Sequence, residues 1–170
     1  MRVLRPASPL RPSGEWVPWA STLVRLVLGV VWIVAGALKV GDLDESVRAV
    51  RAYRLLPEIG AQMIGAGLPL AEITLGVLLL VGLGVRVAAI VSVLLMAAFV
   101  VGIASAWIRG LRIDCGCFGT GGELAAGESP TYGFELARDA ALLVLAVLLA
   151  RWPSSRFSLD GVLSRRHLPE

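Results

Sequence analysis

Apolar positions dominate this chain, in runs long enough to cross a bilayer. A membrane-spanning helix takes about 20 mostly apolar residues at about 1.5 Å rise each. Segments 19–40, 59–81, 86–108 and 134–152 meet that requirement. They predict an all-α fold, an integral membrane four-helix bundle with a short amphipathic helix in the first outer loop. The membrane domain occupies 19–152, between tails at 1–18 and 153–170. For the loop helix, Gly41 is suited to end the first span, Asp42 to cap a new helix, and Glu45 to complete a capping box. Leu43, Val47 and Val50 recur at helical spacing, and Pro57 stops the run. Such a helix either lies on the outer membrane surface or simply connects two spans through solvent. Small residues at four-residue spacing, Ala98, Gly102 and Ala106 on the third span and Gly67 and Ala71 on the second, are expected at helix contacts.

Composition agrees with the pattern. Of 170 residues, 56% are hydrophobic and 17% charged, against about 45–50% apolar and about 25% charged in soluble domains. An ordinary soluble domain, a disordered chain and a small disulfide-stapled secreted fold are thereby excluded. The net charge of +3 is modest, and the basic residues cluster at span ends and in the tails, so they speak of membrane orientation and not of a nucleic-acid partner. The first span follows Arg2, Arg5 and Arg11 but exceeds the roughly 7–15 apolar residues of a signal peptide, and Trp16 and Trp19 anchor it. It reads as a retained helix, and Trp107 and Trp152 also sit at span ends. The two tails and the Arg86 turn carry eight Lys or Arg; the opposite side carries six, at Lys39, Arg48, Arg51, Arg54, Arg109 and Arg112. That difference predicts a multi-pass plasma-membrane protein with both termini cytoplasmic and both long loops outside.

The candidate chemistry lies in Asp114-Cys115-Gly116-Cys117-Phe118-Gly119, within a connection of roughly 24 residues, long enough to suggest a role. A metal site is not expected: zinc takes about four ligands, and the single histidine, His167, falls in the opposite tail. A Cys115–Cys117 bridge would close almost no loop, so it would be a weak staple and a readily reduced one. A redox pair is therefore favoured over a structural or permanently reduced one, with the alternatives open. Gly116 supplies backbone freedom for the tight ring, while Phe118 and Gly119 are expected to hold the turn against the bundle. Arg109 and Arg112 would favour a thiolate, and Asp114 would oppose it.

Ionisable residues inside the spans are functional candidates by default. Arg25 lies about 9 Å and Glu72 about 15 Å from the cytoplasmic end, close enough to predict an Arg25–Glu72 pair. That pair would either fix helix register or serve a proton or quinone role. Pro69 removes a backbone donor and frees the carbonyl near Gly65, leaving a kink that suits a ligand pocket. Arg138 and Asp139 enter the fourth span beneath the cysteine loop, and Lys39 is positioned to meet Asp139. These residues either snorkel and pair at the interface or set the electrostatics of the thiols.

The chain resembles the MauE/DoxX-like family of four-helix membrane proteins from about Leu23 to Leu145. The likeness rests on Gly36 and Lys39, on Tyr53-Arg54-Leu55-Leu56-Pro57, on Pro69 with Glu72 and Gly76, and above all on Cys115-Gly116-Cys117-Phe118-Gly119 followed by Arg138. The resemblance implies a redox-associated membrane protein linked to disulfide formation in exported partners such as methylamine dehydrogenase. The layout is also similar to quinone-linked disulfide-generating enzymes, but their membrane-embedded CxxC and second shuttle pair are missing here.

The expected function is thiol–disulfide exchange at Cys115 and Cys117, supported by Arg112, Asp114, Gly116, Phe118 and Gly119, with Arg25, Lys39, Glu72, Arg138 and Asp139 as intramembrane polar residues. The partners are the lipid bilayer and an exported thioredoxin-like or thiol-containing protein, and a quinone is the one cofactor this reading admits, as electron acceptor. The rival expectation is a non-enzymatic membrane scaffold or assembly factor whose cysteines only shape the loop. A small-solute carrier is a third, disfavoured by the short chain and few intramembrane polar residues.

Overall fold

A computed structural model describes residues 16–117, 121–125, 127–153, 155 and 158–160. Phe118, Gly119 and most of both tails lie outside the described residues. Five helices occur in the order α1 (Trp16–Val40), α2 (Leu43–Ala52), α3 (Glu58–Val81), α4 (Val85–Ile108) and α5 (Tyr132–Arg151). Two short strands, β1 (Ile113–Asp114) and β2 (Gly122–Glu123), pair antiparallel between α4 and α5, with Ile113 opposite Glu123 and Asp114 opposite Gly122.

By length and composition α1, α3 and α4 are each able to cross a membrane. Their outward faces carry large apolar side chains such as Leu23, Val30, Leu70, Val87 and Leu94, the surface that hydrocarbon covers in a membrane protein. Trp16, Trp19, Trp107 and Trp152 are all exposed at helix ends, where amphipathic rings meet the headgroups.

Helix α1 packs mainly on α3, and α4 on α5. The α1–α3 contact is antiparallel and set by glycines. A Cβ on Gly76 would lie 2.5 Å from Ile33 Cγ1 and 2.8 Å from the Gly29 carbonyl oxygen, and one on Gly36 would lie 2.6 Å from the Pro69 carbonyl oxygen. The contact stripe of α3 thus runs through buried Gly65, Pro69, Glu72 and Gly76. Gly67 and Ala71, the expected contact residues, are exposed instead. On α4, Gly102 and Ala106 are buried as expected and Ala98 is exposed. Four-residue spacing alone does not say which face of an all-apolar helix meets protein.

This register also corrects the expected Arg25–Glu72 pair. Arg25 lies against Gly82 at the far end of α3, ten residues from Glu72, or about 15 Å along the helix. Glu72 is level with the other half of α1 and pairs with Lys39, at 2.6 Å. Near Arg25, the Asp160 carboxylate accepts from the backbone N–H of Gly84 (2.8 Å) and Val85 (3.0 Å). It caps α4, whose own N-cap residue, Gly84, has no side chain to do so.

Helix α2 begins as predicted, with the Asp42 side chain accepting from Glu45 N–H at 2.8 Å. It buries Ser46, Val47, Ala49 and Ala52 and docks on α3 just before Pro69. Pro69 offers no N–H to the carbonyl of Gly65, four residues back. Ser46 Oγ donates to that carbonyl at 2.7 Å, and a Cβ on Gly65 would strike Val47 Cα at 2.5 Å. The turn before Pro69 is therefore a docking point for α2, where the sequence had suggested a ligand pocket. Deeper in the bundle, Trp32 is fully buried and its Nε1–H donates to Ser92 Oγ at 2.9 Å.

Candidate functional site

The cysteines lie just after β1, and several side chains pin them there. The Tyr53 hydroxyl donates to the Cys115 carbonyl at 3.0 Å. The Tyr132 hydroxyl donates to the Leu111 carbonyl at 2.6 Å and accepts from Ile113 N–H at 3.2 Å. Burial pushes the Tyr53 phenol up, so it stays protonated as a donor. Gly116 has φ of +67°, in the left-handed region that side chains disfavour. A Cβ there would also come within 2.9 Å of Ala49 Cβ and 3.1 Å of Gly121 Cα. Asp114 Oδ1 accepts from Gly116 N–H at 3.1 Å, which tightens the same turn.

Both cysteines are free thiols and buried. Cys117 N–H donates to Cys115 Sγ at 3.3 Å, and Arg138 Nη2 donates to the same sulfur at 3.7 Å. Cys117 Sγ donates to Asp139 Oδ2 at 3.6 Å. The two thiols thus have different surroundings. The hydrogen bond from Cys117, helped by Arg138, holds Cys115 below the ordinary thiol value against the opposing effect of burial. The side-chain interaction of its thiol with the Cys115 sulfur, together with burial, pushes Cys117 well up. Cys115 is thus the more readily ionised thiol of the pair and Cys117 the less readily ionised one.

The supporting charges differ from those expected. Arg109 donates to the Tyr53 carbonyl and Arg112 to the Glu128 carbonyl, so Arg138 is the cation at the sulfur. Its Nε also donates to Asp139 Oδ1 at 2.9 Å. Asp139 is thus taken by Arg138, and Lys39, its expected partner, is taken by Glu72. Lys39 still borders the site: with Tyr53, Phe99, Cys115 and Cys117 it lines a cavity of about 40 Å³.

Glu135, Tyr132 and Ser46 escaped the sequence reading. A signal for the first two existed in α5, where buried Leu142, Ala146 and Leu149 form a stripe that extends back through Asp139, Glu135 and Tyr132. The apolar inner face thus turns polar where it meets the cysteine loop.

Asp114, Cys115 and Glu135 bring three donor atoms within 4.8 Å of one another. The Arg138 guanidinium already places a fixed positive charge beside the only sulfur in that set, so the arrangement suits thiolate stabilisation better than cation binding. A quinone does not fit beside the thiols either. The cavity there, at about 40 Å³, is far below the roughly 300–1,000 Å³ of small-molecule sites. A larger cavity of about 470 Å³ opens over the loop, edged by Asp114, Glu123, Glu128 and Glu135.

Long lipid-facing helices, with two unlike thiols held in the connection before the last helix, define a helical membrane protein bearing a paired-cysteine loop. The family described as methylamine utilisation protein MauE matches residues 17–151, and the chain belongs to that family. The methylamine utilization protein MauE of Paracoccus denitrificans is 29% identical over 135 residues, which cover 79% of this chain and 68% of that relative. No solved structure matches.

Proposed function

We propose that this MauE-family protein exchanges thiols and disulfides with an exported thioredoxin-like or thiol-containing protein, in support of methylamine utilisation. In this reading α5 is a fourth span, α2 lies at the outer surface, and both termini are cytoplasmic in the plasma membrane. The cysteine loop then faces the exported partner. The observation that carries the reading is the asymmetry of the pair: Cys115 beside Arg138, Cys117 against Asp139. A structural pair needs no such difference, whereas exchange needs one sulfur ionised at ambient pH.

In the oxidising direction, a partner thiolate attacks the Cys115–Cys117 disulfide at Cys115. A mixed disulfide forms and Cys117 leaves. The second partner thiol then attacks the partner's own sulfur, releasing Cys115 and closing the partner's disulfide. Two electrons pass from the partner to the pair, and the reverse sequence returns them.

The test joins a redox titration, read by the mass shift on thiol alkylation, with trapping in cells. The pair should titrate reversibly at a potential above about −300 mV, the region below which structural bridges fall. Cys117→Ser should trap an exported protein on Cys115 as a mixed disulfide, labelled from outside by an impermeant thiol reagent after reduction. A pair that stays reduced in oxidising buffers, or a double Ser variant with full activity, would replace this reading with the scaffold.

A further inference from the structure

We propose that Asp139 is the proton acceptor and donor for Cys117 during exchange, a role that rests on the redox reading of the pair. The Asp139 carboxylate is 1% exposed, and its two oxygens have separate tasks. Oδ1 accepts from Arg138 Nε at 2.9 Å, which fixes its orientation. Oδ2 accepts from Cys117 Sγ at 3.6 Å. The other edge of the same guanidinium reaches Cys115 Sγ at 3.7 Å. One arginine therefore aims the base at one sulfur while stabilising charge on the other.

The neighbouring groups leave this task to Asp139. From α1, the Lys39 ammonium is bound by Glu72 of α3. The Tyr53 hydroxyl, following α2, donates to the Cys115 carbonyl. On α5, Arg138 has only donors, and Glu135 lies beside Asp114 and Cys115. Cys117 is 5% exposed, so solvent base has poor access to its proton.

With a small disulfide RS–SR the step balances as follows. The Cys115 thiolate attacks, one RS⁻ leaves, and Cys115–S–S–R forms. Cys117 sulfur then attacks Cys115 sulfur and gives its proton to Asp139 Oδ2. The bond between Cys115 sulfur and the RS sulfur breaks, the Cys115–Cys117 bond forms, and a second RS⁻ departs. The pair loses two electrons and RS–SR gains them. In reverse, Asp139 returns the proton as Cys117 leaves.

The test uses the reduced full-length protein in detergent with stoichiometric dithiodipyridine, following release of the thiopyridone chromophore. Two phases of one equivalent each are expected, the first from Cys115 and the second from ring closure by Cys117. Asp139→Asn should slow the second phase about 100-fold, the lower range for positioned acid–base groups, and leave the first within about twofold. Asp139→Glu should recover part of the second phase. In the Asn variant the remaining second phase should rise about tenfold per pH unit, as hydroxide takes over, while the wild-type rate stays nearly flat around neutrality.

An unchanged second phase in Asp139→Asn, or Asp139→Glu no faster than Asn, would overturn the assignment. So would a wild-type second phase proportional to hydroxide, a result that needs no folded variant. If the wild type releases no second equivalent, the redox reading itself falls, a result distinct from loss of the Asp139 role.

Discussion

Lys39 Nζ and Glu72 Oε1 lie 2.6 Å apart where α1 and α3 meet, with both side chains almost wholly excluded from solvent. Lys39 also stands 5.9 Å from the centre of the Phe99 ring, so its ammonium has a carboxylate and an aromatic face as neighbours. Glu72 Oε2 has no hydrogen-bond partner among the described residues. One hydrogen-bonded ion contact and the Phe99 face therefore offset the desolvation of two charges.

Removing one member should be costly. Lys39→Met or Glu72→Leu alone leaves an uncompensated buried charge, a change worth about 3–5 kcal/mol. The double variant should regain most of that loss, because two apolar side chains can replace a buried pair with little cost. Thermal unfolding in detergent measures this, and a double variant as damaged as the singles would contradict a simple pair.

Ser46 and Pro69 should be coupled. Ser46→Ala leaves the Gly65 carbonyl buried without a donor, an effect of about 1–3 kcal/mol. Pro69→Ala restores a backbone N–H to that carbonyl, so Ser46→Ala should cost clearly less in the Pro69→Ala background. A double-mutant cycle on unfolding gives the coupling directly. Additive losses would mean that the hydroxyl does not satisfy this carbonyl.

Alkylation should separate the two cysteines by pH. Cys115 is held below the ordinary thiol value by its hydrogen bond from Cys117 and then by Arg138, so it should ionise at lower pH than an ordinary thiol. Cys117 is pushed up and should react only in stronger base. Iodoacetamide labelling resolved by peptide mass should therefore modify Cys115 first. Arg138→Gln should move the Cys115 midpoint upward without returning it fully, since the larger contribution comes from Cys117. A midpoint unchanged by Arg138→Gln would remove the arginine from the thiolate's support.

Much of the fold was legible because membrane burial imposes a strong local rule. Apolar length marked α1, α3 and α4 to within a few residues at each end, and Asp42 with Glu45 marked the start of α2. The same rule hid the packing faces. When a helix is apolar all round, lipid and protein sides carry similar residues, and Gly67 is as plausible a contact as Gly65 until the partner helix is in place. The α5 helix, although expected, carries Glu135, Arg138 and Asp139 near its start, and these dilute the apolar signal that marks the others.

What the sequence determined by itself is what short-range chemistry fixes. It determined membrane-length helices, a capped helix after the first, a donor-free turn at Pro69, and two thiols separated by one glycine. The tertiary structure decided which charges meet. An antiparallel register set by close glycine contacts moved Arg25 to the Gly82 end and brought Lys39 to Glu72. It also set Arg138 and Asp139 against different sulfurs, although they are adjacent in the chain. The physical reason is one of scale. Helix formation depends on neighbours within a turn, whereas ion pairing across a bundle depends on a register that a shift of one turn, about 5.4 Å, would rewrite.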